Sequence, residues 1–284
     1  MKEVVVLSGK GGTGKTTIVG CFAALARNKV LADCVVDAAD LHLLLKPVSQ
    51  HQNEFRGGQF SFIDEAKCIR CHLCQKQCRF EAIHDFKVVP LSCDGCGLCS
   101  HICSAEAISL KETIAGHWFI SDTSYGPLVH ARLGSGQKYP GELIALVRQQ
   151  ARLLAKERRF DYIISDGPPG IGFAAASSLS GASRALLVTE PTLSGIHGLE
   201  SVLSLCRRFN VTALVCINKS DLNEDNTRQI ERYCLSQKVE VAAKIPFDEV
   251  VTEAVIRGVP VSEYSRGRVA QGIESLWQRI SQVV

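Results

Sequence analysis

Short apolar runs alternate with amphipathic, helix-length stretches along most of this 284-residue chain. The first run, residues 3–9 (EVVVLSG), predicts a buried strand, and a glycine-rich loop and a helix over residues 15–28 follow it. Later strands are predicted at residues 30–36, 162–165, 185–189, 213–217 and 239–245. Strands that alternate with helices are joined by right-handed crossovers and form a parallel sheet with helices on both faces. The pattern therefore predicts an α/β fold.

An internal repeat interrupts this alternation. Residues 68–83 (CIRCHLCQKQCRFEAI) align with residues 93–108 (CDGCGLCSHICSAEAI), with eight identities in sixteen positions, four of which are cysteines. A small duplicated module inserted into the α/β domain explains this pattern.

The predicted domain boundaries follow from the position of the repeat. We expect the α/β domain to comprise residues 1–58 and 113–284, and the inserted domain to comprise residues 59–112. The glycine pair at 57–58 and Gly116 are the candidate joints because glycine favours chain reversals and loops.

Composition narrows the functional classes. The chain has 46% apolar residues, a formal net charge of +3 and 13 cysteines. So small a net charge does not indicate nucleic-acid binding. Neither a membrane span of ~18 apolar residues nor a signal peptide is recognisable. We expect a cytoplasmic protein, in which clustered cysteines indicate metal or redox chemistry rather than disulfides.

Residues 9–16 (GKGGTGKT) fit the phosphate-binding pattern G-x-x-x-x-G-K-[ST], directly after a predicted strand and at the start of a helix. Backbone N–H groups of such a loop surround phosphate oxygens, and the helix N-terminus adds partial positive charge. Lys15 is expected to reach the β- and γ-phosphates, and the Thr16 hydroxyl to hold Mg²⁺. The candidate nucleotide-binding residues of the loop are Gly11, Gly12, Thr13, Gly14, Lys15, Thr16 and Thr17.

Two later segments carry further candidates. Asp166 ends the strand in YIISDGPPG, at the sheet edge where ligands of open α/β sheets bind. We expect Asp166 to orient the Mg²⁺ shell and the Gly167 N–H to sense the γ-phosphate. Asn218 and Asp221, in the segment NKSD, are candidate base-reading residues. This segment alone suggests guanine, because an aspartate can accept hydrogen bonds from both guanine N–H groups.

Both cysteine runs read C-x₂-C-x₂-C-x₃-C. Three thiolates within seven residues suit three irons of a cubane, and the fourth cysteine of each run is placed to ligate the other cluster. Structural zinc is the alternative, although zinc sites usually use two separated cysteine pairs.

The cysteine pattern resembles that of bacterial two-cluster ferredoxins. The resemblance implies one [4Fe–4S] cluster on Cys68, Cys71, Cys74 and Cys103, and a second on Cys93, Cys96, Cys99 and Cys78. The proline that usually follows the fourth cysteine is replaced by Arg79 and Ser104.

The lysine at position 10, together with DGPPG, resembles the deviant-Walker dimeric ATPases: MinD-type and ParA-type proteins, Mrp-type iron–sulfur carriers and the nitrogenase iron protein. The cysteine repeat narrows the resemblance to MinD-superfamily ATPases with an inserted ferredoxin domain. It covers nearly the whole chain, including residues 189–195 and 245–248.

This resemblance implies ATP rather than GTP as the nucleotide, with Mg²⁺, and a contact between Asn218 and adenine. It places Pro246 in the nucleotide site. It implies that Lys10 crosses a dimer interface to the partner's nucleotide, in a homodimer or in a heterodimer with a related ATPase.

One departure concerns hydrolysis. Relatives commonly carry Asp-x-Asp after the second strand, and the second aspartate positions the attacking water. Here the segment is DCVVD, and Val35 occupies that place. Either Asp37 has taken over the task, or hydrolysis is slow and the nucleotide acts as a long-lived switch. Asp40 is expected to cap the next helix.

These observations leave three functional hypotheses. The leading one is an ATPase whose nucleotide state gates electron transfer from two [4Fe–4S] clusters to a redox or iron–sulfur protein partner. The alternatives are an iron–sulfur or metal-cluster assembly and delivery factor, and a MinD/ParA-like positioning or cell-division factor with redox-sensing clusters. Residues 268–284 form an amphipathic helix with few positive charges, so we expect packing on the sheet rather than membrane binding.

Overall fold

A computed structural model describes residues 1–37, 40–134, 136 and 139–283 of the chain. The strands are β1 (Lys2–Ser8), β2 (Lys29–Asp33), β3 (Val48–Ile63), β4 (Ile83–His84), β5 (Lys87–Val88), β6 (Ile108–Thr123), β7 (Gly126–Leu133), β8 (Tyr162–Pro169), β9 (Arg184–Thr189), β10 (Thr212–Asn218) and β11 (Glu240–Ile245). The helices are α1 (Lys15–Leu25), α2 (Leu41–Leu45), α3 (Leu73–Lys76), α4 (Leu98–His101), α5 (Pro140–Glu157), α6 (Phe173–Leu179), α7 (Leu193–Arg208), α8 (Glu224–Ser236), α9 (Val250–Arg257), α10 (Val261–Tyr264) and α11 (Arg268–Val283).

The main sheet has the order β11-β10-β9-β1-β8-β2-β7-β6-β3. Neighbouring strands from β11 to β7 are parallel, which confirms the predicted α/β fold with a parallel sheet. The antiparallel edge formed by β6 and β3 was not predicted. Many side chains of these two strands are exposed, so no continuous apolar run marks them in the sequence.

Side chains of β1 show how both faces of the sheet are covered. Val4 and Val6 pack with α1, α2 and α11, whereas Val5 and Leu7 pack with α6 and α7. All four side chains are at most 1% exposed. The alternation follows from the strand period of two, and it places the end of β1 between two helical layers.

The last helix packs on the sheet, as the sequence predicts. The apolar side chains along α11 belong to the same buried cluster as strand residues of the sheet; they are Val269, Ile273, Leu276, Trp277 and Ile280. Residue 284, the end of the predicted helix, lies outside the described residues. No helix within the described part of the chain is both long and apolar enough to cross a membrane.

The cysteine repeat projects from the sheet on a long two-stranded ribbon. β3 and β6 pair along their whole length, from Val48 opposite Asp122 to Ile63 opposite Ile108. Residues 64–107, which we call the cysteine module, connect the far ends of the ribbon, and Asp64 N donates to Ala107 O at 2.8 Å. The domain boundaries predicted near residues 58 and 112 fall inside these strands. The ribbon therefore continues from the sheet into the module, with register shifts around the glycine pair.

Candidate functional site

The glycine-rich loop after β1 lines an open cleft of about 470 Å³ at the carboxyl edge of the sheet. All seven loop residues predicted to bind nucleotide line this P-loop cleft, together with Ser8, Val35, Asp40 and Pro169. Gly14 begins α1 with φ +88°, and an added Cβ there would lie 2.3 Å from Asn218 Nδ2. Only glycine fits this position, because the conformation is left-handed and the amide lies so close.

The loop offers space and polar groups for a phosphate. A Cβ added at Gly11 or Gly12 would meet no atom within 4 Å, so the loop is open on that side. Thr13 Oγ1 is buried and has no hydrogen-bond partner among the described residues. An open glycine loop and an unpaired buried hydroxyl fit a bound anion, because buried polar groups are otherwise hydrogen-bonded.

Lys15, Thr16 and Asp166 form a compact polar cluster at the base of the cleft. Lys15 Nζ lies 2.5 Å from Asp166 Oδ1, and Thr16 Oγ1 donates to Asp166 Oδ2 at 2.7 Å. Lys15 is 8% exposed and Asp166 only 1%. The structure thus brings together the residue predicted to bind phosphate and the two predicted to hold Mg²⁺.

Asp33 is a second buried carboxyl beside this cluster, and the sequence analysis assigned it no role. It ends β2 directly opposite Asp166 in the β2–β8 register and is 2% exposed. Burial and the negative charge of Asp166 raise the pKa of Asp33 to about 8, against a hydrogen bond from Val35 N that lowers it. Its position at the end of a buried strand, as the first residue of the DCVVD segment, was the available sequence signal.

The segment after β2 contributes Val35 and Asp40 to the cleft. Asp37, the predicted substitute for the missing aspartate, is exposed and is not among the described residues that line the cleft. Asp40 occupies the N-cap position of α2, as expected, but its side chain makes no capping hydrogen bond. The expected capping role is therefore wrong, and the Asp40 carboxylate belongs to the cleft instead.

Lys10 folds back onto its own chain. Its Nζ pairs with Glu190 at 2.5 Å and donates to Thr192 Oγ1 at 3.1 Å and Ser194 Oγ at 3.0 Å. Glu190 also pairs with Lys219 at 2.9 Å. Burial alone would raise the pKa of Glu190, but the hydrogen bonds from Lys10 and Lys219 lower it below its ordinary value.

The NKSD segment, which contains the candidate base-reading residues, contacts the backbone of the glycine-rich loop. Asn218 Nδ2 donates to Thr13 O at 2.8 Å, and Lys219 Nζ donates to Gly12 O at 3.1 Å. Asp221 Oδ1 accepts from the N–H of Phe247, the residue after Pro246, at 2.7 Å. The first two contacts hold the end of β10 against the loop, and the third joins the segment after β11 to the NKSD segment. Gly167 is buried inside β8, where an added Cβ would lie 2.5 Å from Leu7 Cδ2.

The eight module cysteines line two small cavities. The first, of about 20 Å³, is lined by Cys68, Cys71, Cys74 and Cys103. The second, also of about 20 Å³, is lined by Cys78, Cys93, Cys96 and Cys99, and by Cys74 as well. The first cavity receives three cysteines from the first run and one from the second, whereas the second receives three from the second run and two from the first.

Hydrogen-bond donors surround several of these sulfur atoms. Ala82 N and Ala107 N each lie 3.4 Å from a sulfur, Cys78 Sγ and Cys103 Sγ respectively. Ser61 on β3 places its Oγ 2.9 Å from Cys99 Sγ. Within the described residues, no three His, Cys, Asp or Glu side chains form a group that could hold a metal ion.

Residues 4–261 match the CobQ/CobB/MinD/ParA nucleotide-binding domain. This chain belongs to that family. It is 29% identical to an uncharacterized protein of Methanocaldococcus jannaschii over 285 residues, which cover 99% of this chain and 97% of that protein. It is 28% identical to the septum site-determining protein MinD of Thermotoga maritima over 289 residues, which cover 98% of this chain and 87% of that protein.

Solved structures of MinD proteins share the fold of this MinD/ParA family member. MinD of Pyrococcus horikoshii, complexed with Mg-ADP, gives a TM-score of 0.59 at 17% identity and covers 99% of this chain and 96% of that one. MinD in the MinC:MinD complex of Aquifex aeolicus gives a TM-score of 0.59 at 19% identity, with coverage of 100% and 97%. The MinD/ParA-type P-loop fold predicted from the glycine loop is confirmed.

The raised pKa of Asp33 predicts a specific dependence of stability on pH. The unfolded carboxyl titrates near its ordinary value of about 4, so between about pH 4 and 8 the folded protein binds more protons. The free energy of unfolding due to Asp33 is therefore fully present below pH 4 and is lost as the pH rises towards 8. Asp33→Asn should unfold at a higher temperature than the parent at pH 8, and at a similar temperature at pH 4.

The measurement is thermal unfolding without nucleotide or Mg²⁺ at several pH values. Asp37→Asn, at an exposed carboxyl in the same segment, is the matched control and should follow the parent throughout. A difference between Asp33→Asn and the parent that stays constant from pH 4 to 8 would contradict the raised pKa.

Proposed function

We propose that this chain is an ATP-binding and ATP-hydrolysing dimer switch whose nucleotide state controls a module carrying two [4Fe–4S] clusters. The observation that carries the proposal is the sorting of eight cysteines into two cavities. Each cavity includes the four thiols expected for one cluster, three from one repeat and one from the other, and Cys74 lines both cavities. This exchange is the ligation pattern of two-cluster ferredoxins.

The nucleotide half of the proposal rests on the family and on the P-loop cleft. The relative from Pyrococcus horikoshii was solved with Mg-ADP, and the residues that would hold the same group are present here. Lys15 and the loop amides would bind the phosphates, while Thr16 and Asp166 would hold Mg²⁺, with Asp33 beside them. A bound Mg²⁺ neutralises phosphate charge, and its positive charge would favour the ionised form of the Asp33 carboxyl.

Asn218 donates a hydrogen bond to the loop backbone at Thr13 O, and this proximity to the P-loop supports the proposal that the NKSD segment reads the base. We favour ATP over GTP because the segment occurs in a chain that matches the MinD/ParA family. Gly167 is buried against Leu7 in this structure. Its N–H would therefore contact the γ-phosphate only after β8 rearranges.

Chain connectivity links the nucleotide to the cysteine module. The segment after β2 contributes Val35 and Asp40 to the cleft, α2 follows at once, and β3 then runs directly into the module. A shift of this segment on nucleotide exchange would therefore act on one strand of the ribbon. We infer that nucleotide state changes the position or docking of the module rather than its ligands.

The cysteine module presents a surface that suits a protein partner. Cys71 and Cys96 are exposed, so each proposed cluster would lie near the molecular surface. Clusters so placed supply one-electron transfer, and we propose a redox or iron–sulfur protein as the partner. If the clusters are instead labile and transferable, the same arrangement would serve cluster assembly or delivery.

A MinD-like positioning role is the second candidate, and the comparisons favour it over electron transfer. The chain aligns over 98% of its length with a septum site-determining MinD. In that case the clusters would sense redox state. The final helix offers little for lipid binding, because its apolar face is buried in the core. Co-sedimentation with anionic liposomes, with and without ATP, tests this role directly.

The cluster assignment predicts about eight iron and eight acid-labile sulfide atoms per chain after anaerobic preparation. Cys78→Ser should lose the cluster on Cys93, Cys96 and Cys99 and keep the other, as seen by electron paramagnetic resonance of the reduced protein. Cys206→Ala, at a buried cysteine in the core of the α/β domain, should retain both clusters. Stoichiometric zinc without visible absorption, or loss of the other cluster in Cys78→Ser, would contradict the assignment.

The dimer switch predicts different outcomes for the two loop lysines. Lys15→Ala should abolish tight ATP binding, because it removes the charge that faces the phosphates. Lys10→Ala should keep the ATP affinity within a few fold but lose ATP-dependent dimerisation, measured by light scattering. Glu190→Gln, which releases Lys10 from its partner in the free chain, should still dimerise. An unchanged ATP-induced dimer in Lys10→Ala would refute the role across the interface.

Val35 predicts slow hydrolysis. Val35→Asp should raise steady-state phosphate release by on the order of 10²-fold or more, because a positioned water-orienting group is worth that much. Nucleotide affinity should stay within a few fold. If Asp37 or the cleft-lining Asp40 has taken over, the parent should already hydrolyse ATP fast. In that case the rate should collapse in Asp37→Asn or in Asp40→Asn, and fast release from the parent would exclude the long-lived switch.

A further inference from the structure

A third cavity lies on the antiparallel edge of the sheet, away from both sites described above. It measures about 410 Å³ and shares no lining residue with the P-loop cleft or the cysteine cavities. We call it the histidine cavity after its polar lining, which consists of His42, Gln52, His117, Ser121, His130 and Arg132.

Strand register assembles this lining from distant parts of the chain. His117 lies directly opposite Arg132, and Phe119 opposite His130, in the β6–β7 pair. Gln52 on β3 lies opposite Phe119. Since alternate residues share one face of a sheet, these strands present a polar face with one row of nitrogen-bearing side chains. His42 on α2 completes the lining.

The central imidazole is held in a fixed orientation. The His130 ring stacks on Phe119, with ring centroids 5.0 Å apart and planes 18° from parallel. Its Nε2 lies 2.8 Å from Ser121 Oγ. A ring packed on one side and hydrogen-bonded at one nitrogen is ordered before any ligand binds, which lowers the entropy cost of binding.

The cavity has positive charge but no acidic residue among its described lining. Burial, followed by the electrostatic influence of His42 and Arg132, lowers the pKa of His130 to about 4. Glu54, opposite His117 in the register, is engaged by Arg56 at 3.1 Å. The three histidines do not form a metal-binding group. Arg132 is exposed at the mouth of the cavity and is in no ion pair with the described residues, so an anion could pair with it.

We infer that the histidine cavity binds a small organic anion, held by the Arg132 guanidinium and by N–H groups of the histidines. Carboxylate and phosphate groups share the chemistry that Arg132 recognises, because both accept two parallel hydrogen bonds from a guanidinium. The volume is in the range of small-molecule sites. This site goes beyond the proposed ATP-dependent function and does not depend on it.

The test is isothermal titration of the full chain with citrate and, separately, with inorganic phosphate. Both titrations use the Lys15→Ala background, so that phosphate binding at the P-loop does not contribute. Arg132→Gln should weaken binding by roughly 10- to 100-fold, the usual effect of losing a hydrogen bond to a charged group. Arg208→Gln, at an exposed arginine that ends α7, is the matched control and should bind like the background.

The stronger of the two anions identifies the ligand class as carboxylate or phosphate. His42→Gln is a second variant on a different element and should also weaken binding. Equal affinity in the background, Arg132→Gln and Arg208→Gln, or no binding of either anion to the background, would overturn the proposal. Because the readout does not use nucleotide, failure of the ATP-dependent switch would leave this result unaffected.

Discussion

The buried contact between Lys15 and Asp166 is the constraint on which the rest of the P-loop cleft depends. A lysine that is 8% exposed and an aspartate that is 1% exposed have both lost most of their hydration. Such a pair persists only when each charge keeps a partner, because an isolated buried charge is very costly. Thr16 adds a hydrogen bond to the same carboxylate. A phosphate and a divalent cation would give both charges new partners, so the free cleft is already arranged for that exchange.

The second buried carboxyl extends this argument. Asp33 and Asp166 lie opposite each other in the β2–β8 pair. Burial and the negative charge of Asp166 raise the pKa of Asp33, although the charge of Lys15 opposes this shift. A divalent cation bound at this point would favour the ionised form of the Asp33 carboxyl, directly before the segment that follows β2. The same segment continues through α2 into β3. A change in the ionisation of Asp33 would therefore occur close along the chain to the ribbon that carries the cysteine module.

The two halves of the molecule are built on different principles. The α/β domain is stabilised by two apolar layers on a continuous sheet. The module has a much smaller core of Ile63, Cys74, Ile83 and Ile108, with further cysteines packed against it. So small a core gives little stability by itself, and small domains of this kind commonly depend on metal or disulfide crosslinks. The two cavities between the cysteine runs fit that expectation.

The sequence by itself determined the features whose residues are neighbours along the chain. The P-loop, the buried parallel strands and the spacing within each cysteine run depend on contacts over a few positions, so local pattern was enough to predict them. Only the tertiary structure decided which distant residues meet. It placed Asp33 beside Asp166, turned Asp40 rather than Asp37 into the cleft, and revealed the antiparallel ribbon and the histidine cavity. Strand order decides which distant residues become neighbours, and the local alternation of polar and apolar residues does not encode that order.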